Sequence, residues 1–146
     1  MKQDVQKQLM HECIKYRKAI ENNKDKLEMW WFHKFPNGCC SDTSLMLGRY
    51  LDDKQYGKAY HVSGILGHNS HAWLELDGWI IDITADQFAE VDESIIVAKE
   101  TYFHNRFEDV EKVIYSELFT GKNFGDIALL KAYGIIKQAI GDMLSS

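Results

Sequence analysis

The chain has 146 residues, of which 45% are hydrophobic and 12% aromatic, with a single proline and a formal net charge of −5. This composition predicts a globular protein with a sizeable buried core and excludes a disordered chain. The negative charge argues against a nucleic-acid partner, and the lack of any apolar run near the ~20 residues of a bilayer span argues against a membrane partner.

The first third of the chain predicts two helices separated by a turn. Over residues 5–27, apolar side chains recur at helical spacing among lysine, glutamate and glutamine, which indicates an amphipathic helix. The apolar face of this helix comprises Leu9, Met10, Cys13, Ile14, Ala19 and Ile20. The segment Phe-Pro-Asn-Gly at 35–38 predicts a turn. A second helix begins near Cys40, where Ser41 and Asp42 are expected to cap it.

The middle of the chain predicts an antiparallel sheet. Residues 58–66 are rich in β-forming side chains and end in a glycine turn. Strands at 70–76 and 79–84 flank the dipeptide Asp-Gly at 77–78, which is a strong signal for a two-residue hairpin turn. Such a turn determines which residues of the two strands lie opposite each other.

The last third predicts two further helices, one around 105–118 and a well-patterned one over 124–144. The order is thus helix, helix, strands and helices, which indicates the α+β class. Without a repeat, a linker or a low-complexity segment, residues 1–146 are expected to form one domain. The polar N-terminus lacks the apolar stretch of a signal peptide, so a cytoplasmic location is expected.

The sequence contains three cysteines, Cys13, Cys39 and Cys40, of which two are neighbours that rarely bridge without strain. Cys40 is the candidate nucleophile, because unpaired backbone amides and the helix dipole favour a thiolate at the start of a helix. Cys13 lies on the apolar face of the first helix and is expected in the core.

A thiol nucleophile needs a base, and His71 on the first strand of the hairpin is the candidate. The hairpin register makes Thr84 the direct partner of His71 and Asp82 its diagonal neighbour, at about 7–8 Å between α-carbons. Alternation along the strands puts His71 and Asp82 on the same face, so a hydrogen bond between them is feasible. The pattern therefore predicts a triad of Cys40, His71 and Asp82.

The segments that carry these residues resemble those of transglutaminase-like proteins. Gly-Cys-Cys-Ser-Asp-Thr-Ser at 38–44 resembles their G-x-C-x-D-x-[AS] segment, and His-Ala-Trp-Leu-Glu at 71–75 with Asp-Ile-Thr at 82–84 resembles H-x-W-x-E and D-x-T. The resemblance implies that Cys40 rather than Cys39 is the nucleophile. It also implies a papain-like fold with N-terminal helices packed on a small antiparallel sheet, as in the compact bacterial members of the family.

The same resemblance implies a cysteine peptidase, amidase, glutamine deamidase or acyltransferase that acts on a peptide or protein amide through an acyl-enzyme, without a cofactor. The backbone N–H of Cys40 is one candidate donor to the oxyanion of such a reaction. Asn37 and Gln87 are candidates for a second donor or a substrate contact. Trp73 is a candidate for the wall of the cleft or for the core.

Other interpretations of these residues stay open. A zinc site would draw on Cys39, Cys40, His33 and His71, but adjacent cysteines lack the C-x₂₋₄-C spacing, so no metal is expected. A surface or otherwise satisfied polar role is expected for His33, His61, His68 and His104. The alternative function is a non-catalytic binding or assembly module on the same fold, with aromatic residues as its contact surface. The sequence leaves the oligomeric state open.

Overall fold

The computed structural model describes residues 2–145. The helices are α1 (Lys2–Asn23), α2 (Cys40–Asp53), α3 (Tyr102–Asn105), α4 (Tyr115–Leu118) and α5 (Phe124–Ser145). The strands are β1 (Tyr60–Leu66), β2 (Asn69–Leu76), β3 (Trp79–Asp82), β4 (Ile96–Ala98) and β5 (Glu108–Ile114). Short 3₁₀ turns lie at Lys24–Lys26, Trp30–Lys34 and Ala85–Gln87.

The strands form a five-stranded antiparallel sheet in the order β4-β3-β2-β1-β5, with helices at both ends of the chain. The predicted α+β class is therefore confirmed. β2 and β3 pair Leu76 with Trp79 across a turn in which Asp77 and Gly78 both have positive φ, 51° and 83°. This is the conformation of the hairpin turn that an Asp-Gly pair favours, so the predicted turn and its register are confirmed. β3 ends at Asp82, two residues before the predicted end, so Thr84 is not paired with His71 in the sheet.

The first helix ends at Asn23, earlier than predicted, and one member of its predicted apolar face is wrong. Leu9, Cys13 and Ile20 are buried as expected, but Ile14 is 48% exposed. Tyr16 completes the buried stripe instead, because positions 9, 13, 16 and 20 follow the 3.6-residue period and position 14 falls beside it.

The predicted helix over 105–118 is wrong, because half of this segment forms the edge strand β5, paired with β1, and only the last turn, α4, is helical. An exposed edge strand has no alternation of buried and exposed residues to reveal it, and nearly all of β5 is exposed. Phe107, Val110 and Ile114 are spaced as on a helix, which explains the wrong prediction. Strand β4 at the opposite edge was not predicted, while the last helix over 124–144 is confirmed.

Both faces of the sheet are covered. On the first face, Leu74 and Ile81 belong to the main core, to which α1, α2 and α5 also contribute. On the second face, Trp73 and Ile80 belong to a separate cluster that includes Phe103. Strand alternation puts the side chains of His71 and Asp82 on this second face.

No helix within residues 2–145 combines the length and the apolar character that crossing a bilayer requires.

Candidate functional site

Cys40 is the first residue of helix α2, as the sequence predicts. The carbonyl of Cys39 accepts the first helical hydrogen bond, from the Thr43 amide at 2.9 Å. The amides of the first helical turn have no acceptor within the helix, so they carry partial positive charge at the end of α2 where Cys40 lies. The backbone of the helix start therefore favours an anionic sulfur at this position.

The predicted capping of this helix by Ser41 and Asp42 is wrong. The N-cap residue is Cys39, and it makes no side-chain capping hydrogen bond. Asp42 instead accepts a hydrogen bond from Trp31 Nε1 at 2.9 Å, while Ser41 Oγ lies 3.1 Å from His61 Nε2. These two side chains therefore link the start of α2 to Trp31 and to His61 on β1.

The two adjacent thiols have opposite environments. Burial raises the pKa of Cys39 to about 12, and its thiol donates to the carbonyls of Trp31 and Asn37 at 3.4 and 3.3 Å. Burial also raises the pKa of Cys40, but hydrogen bonds with His71 and from the backbone of Ala72 outweigh burial and bring it below its ordinary value. Of these two thiols, only that of Cys40 has a lowered pKa.

His71 and Asp82 meet as the hairpin register predicts. His71 Nε2 lies 2.6 Å from Asp82 Oδ2, and both side chains are buried. Burial lowers the pKa of His71, but the hydrogen bonds to Asp82 and Cys40 outweigh burial and raise it to about 9. The hairpin thus brings His71 and Asp82 into contact, and Cys40 at the start of α2 lies close enough to His71 for each to shift the pKa of the other.

The carboxylate of Asp82 has hydrogen-bond donors on both oxygens. Oδ1 accepts from the Thr84 amide at 2.9 Å and from the Thr84 hydroxyl at 3.4 Å. Oδ2 lies 2.6 Å from Nε2 of His71 and 2.7 Å from Nε2 of His104. Burial raises the pKa of Asp82, but the hydrogen bonds from His104 and His71 outweigh burial and hold it well below its usual range.

His104 is the residue of this site that sequence reasoning missed. It was expected in a surface or otherwise satisfied polar role without an acid partner, whereas it is 4% exposed and contacts Asp82. Its position at the end of α3, 22 residues after Asp82, carries no motif that links the two. Of the three histidines for which the same role was expected, His61 is buried with Ser41 as its partner, and His33 and His68 are exposed.

Gln87 and Trp73 both lie beside His71, and the buried position of Trp73 is that of its core alternative. Gln87 Nε2 lies 3.2 Å from His71 Nδ1, so the Gln87 side chain contacts the candidate base, His71. Trp73 is 2% exposed, and its ring centroid lies 5.8 Å from that of His71. Asn37 is exposed, and its backbone carbonyl accepts a hydrogen bond from the Cys39 thiol.

Aromatic rings surround the His71 imidazole. The ring centroids of Phe88, Phe103 and Phe107 lie 5.1, 6.0 and 5.9 Å from that of His71. These rings exclude water, and a low local dielectric strengthens the hydrogen bond between His71 and Asp82. The same surroundings make an unpaired charge there expensive.

His71, Asp82 and His104 also form the one group of three metal-ligating side chains found within residues 2–145, with ligand atoms within 4.8 Å of one another. The group does not include Cys39 or His33, which the zinc interpretation would have used. Two ligands of one zinc ion lie more than about 3 Å apart, because each is about 2 Å from the metal. The 2.6 and 2.7 Å separations at Asp82 are instead those of hydrogen bonds.

Comparisons of the chain with protein-family models, with curated proteins and with solved structures returned no match. The resemblance to transglutaminase-like proteins therefore rests on the motif segments at 38–44, 71–75 and 82–84.

Proposed function

We propose that this protein is a thiol-dependent amide hydrolase or acyltransferase of the transglutaminase-like type, with a papain-like arrangement of Cys40, His71 and Asp82. The observation that carries the proposal is the ionisable Cys40 thiol at the start of α2, beside an imidazole that Asp82 holds at 2.6 Å. The substrate class is a peptide or protein amide, because an acyl group is what a thiolate with an acid–base histidine transfers.

In the acylation step, the Cys40 thiolate attacks the carbonyl carbon of the amide, which forms a C–S bond and a tetrahedral oxyanion. The unpaired amides at the start of α2, including that of Cys40, are the candidate donors to this oxyanion. His71 Nδ1 passes its proton to the departing nitrogen, the C–N bond breaks, and a thioester remains.

In the second step, water or an amine gives a proton to His71 and attacks the thioester. The C–S bond breaks and the sulfur leaves as a thiolate, which restores the starting ion pair. Asp82 keeps the Nε2 proton of His71 in place throughout, so that Nδ1 remains the nitrogen that exchanges protons with the thiol and the substrate.

The proposal is tested by alkylation with iodoacetamide at about pH 6, where an ordinary thiol is almost fully protonated. Peptide mapping of the intact chain should find label on Cys40 much faster than on Cys13 or Cys39. The variant Cys40→Ala should lose this fast label and Cys39→Ala should keep it, and His71→Asn should slow it. Equal labelling of all three cysteines would overturn the proposal.

Hydrolysis and acyl transfer differ in the nucleophile that resolves the thioester. Incubation of casein with the protein, with and without a fluorescent primary amine, separates them. Incorporation of the amine indicates acyl transfer, whereas ammonia release without incorporation indicates deamidation and new peptide termini indicate proteolysis. Cys40→Ala is the control for each product.

A non-catalytic binding module is the second candidate function, and the position of Gln87 favours it. Its amide lies on His71 Nδ1, the nitrogen that a base would use. If this contact excludes Cys40 from the imidazole, then Cys40 alkylation at about pH 6 should be as slow as that of an ordinary thiol and unchanged by His71→Asn.

A further inference from the structure

We propose that His104 is a positioning residue of the site: its Nε2–H holds the Asp82 carboxylate in place for His71, and Thr101 sets its tautomer. The inference rests on the proposed function and adds a residue that the predicted triad does not contain.

The hydrogen bonds of Thr101 determine which nitrogen of His104 carries the proton. Thr101 Oγ1 accepts from the backbone amide of His104 at 2.9 Å as the N-cap of α3, and it lies 2.6 Å from His104 Nδ1. Since its oxygen already accepts from the amide, the hydroxyl proton is free to be donated to Nδ1. A neutral His104 that accepts at Nδ1 carries its proton on Nε2, which points at Asp82 Oδ2.

The contacts of His104 and Thr84 together orient the carboxylate without His71. Thr84 holds Oδ1 through two donors, and His104 holds Oδ2. His71 must gain and lose a proton in each turnover, and its hydrogen bond to Asp82 changes in strength as it does so. With His104 in place, the carboxylate keeps its orientation while that bond changes.

Packing alone does not explain a histidine at this position. The ring of His104 lies among aromatic rings, with centroids 4.8 Å from Trp73 and 5.0 Å from Phe103. An apolar ring would fill the same space without the cost of burying two ring nitrogens. Both nitrogens are nevertheless satisfied, one by Thr101 and one by Asp82.

The first test uses nitrogen NMR of the histidine rings in the unmodified protein at neutral pH. The expected spectrum shows His104 with its proton on Nε2 and with Nδ1 unprotonated. A proton on Nδ1 of a neutral His104 would overturn the proposal, because Nε2 would then have no proton to donate to Asp82.

The second test compares His104→Gln with His104→Asn by the rate of Cys40 alkylation by iodoacetamide at about pH 6. Both carry an amide, but only glutamine reaches far enough to donate to Oδ2. We expect His104→Asn to slow alkylation about tenfold, the usual effect of losing a hydrogen bond to a charged group, and His104→Gln to stay within about twofold. Thermal unfolding of both variants shows whether each is folded.

The outcomes separate this inference from the proposed function. Fast alkylation of Cys40 that falls in His71→Asn but is unchanged in folded His104→Asn would overturn the role of His104 and leave the triad intact. Cys40 alkylation as slow as that of Cys39 in the unmodified protein would overturn the proposed function itself. Equal losses in the folded glutamine and asparagine variants would also overturn the positioning role, because restoring the donor should restore the rate.

Discussion

The amide of Gln87 lies on the ring nitrogen of His71 that Asp82 leaves free, with Nε2 of Gln87 3.2 Å from Nδ1 of His71. Nδ1 is the nitrogen that a base would share with Cys40. A glutamine amide that donates to Nδ1 stabilises the neutral imidazole, and it therefore opposes the thiolate–imidazolium pair. Gln87 is placed to tune how much of Cys40 is ionised.

We expect Gln87→Ala and Gln87→Glu to change Cys40 alkylation in opposite directions. Alanine removes the donor to Nδ1 and should raise the rate at about pH 6 roughly threefold, the size of a neutral hydrogen bond. A glutamate carboxylate would accept the Nδ1 proton of the imidazolium in place of the thiolate, so Cys40 loses its hydrogen-bond partner and alkylation slows. Asp92→Asn, at an exposed position in the following loop, is the control. A fall in rate with alanine would contradict the tuning role.

His71 should make the stability of the fold depend on pH. Its pKa is raised in the folded state to about 9, chiefly by Asp82. A group with a raised folded pKa stabilises the fold fully below its unfolded pKa and loses that contribution as pH rises through the folded value. The contribution of His71, about 3 kcal/mol for a shift of this size, should therefore be complete below about pH 6.5 and disappear by about pH 9.

Urea unfolding at about pH 6 and about pH 9.5 measures this loss. The free energy of unfolding of the unmodified chain should fall more steeply between these pH values than that of His71→Asn. His68→Asn, which removes an exposed histidine, should fall as steeply as the unmodified chain. Parallel curves for the unmodified chain and His71→Asn would show that His71 gains no proton affinity on folding.

Alanine substitution at two helical glycines should change the free energy of unfolding in opposite directions. A Cβ on Gly48 of α2 would lie 3.1 and 3.2 Å from the Cγ and Cβ atoms of Tyr115, so α2 can approach its neighbours closely only without a side chain there. Overpacking of this kind costs about 1–3 kcal/mol, which exceeds the gain of about 1 kcal/mol in helix propensity. At the exposed Gly134 of α5, a Cβ meets nothing within 4 Å.

Gly48→Ala should therefore lower the free energy of unfolding, and Gly134→Ala should raise it by up to about 1 kcal/mol. Urea unfolding of the unmodified chain and the two single variants at one pH measures both changes in the free energy of unfolding. Stabilisation by Gly48→Ala would mean that Tyr115 moves away at little cost.

The hairpin and the start of α2 could be predicted because local rules determine them. The Asp-Gly turn sets the pairing of β2 with β3, and strand alternation then puts His71 and Asp82 on one face. The turn at 35–38 places a helix start at Cys40. Each of these predictions used only neighbours in sequence and a fixed repeat.

The errors fall where non-local contacts outweigh local patterns. Residues 108–114 have helical spacing, yet they pair with β1 as an edge strand. Ser41 and Asp42 are good capping residues, but His61 and Trp31 take their hydrogen bonds. Propensities of under about 1 kcal/mol per residue are easily overridden by such partners.

The sequence alone predicts the order of the central elements, the hairpin register and the three residues of the proposed triad. It can do so because turn chemistry and strand periodicity act over a few residues. The tertiary structure alone decided that His104 shares the carboxylate of Asp82 and that Gln87 lies on the free nitrogen of His71. Both residues reach the site from segments outside the hairpin. Such contacts depend on how loops pack over a sheet face, and no repeat in the sequence encodes that packing.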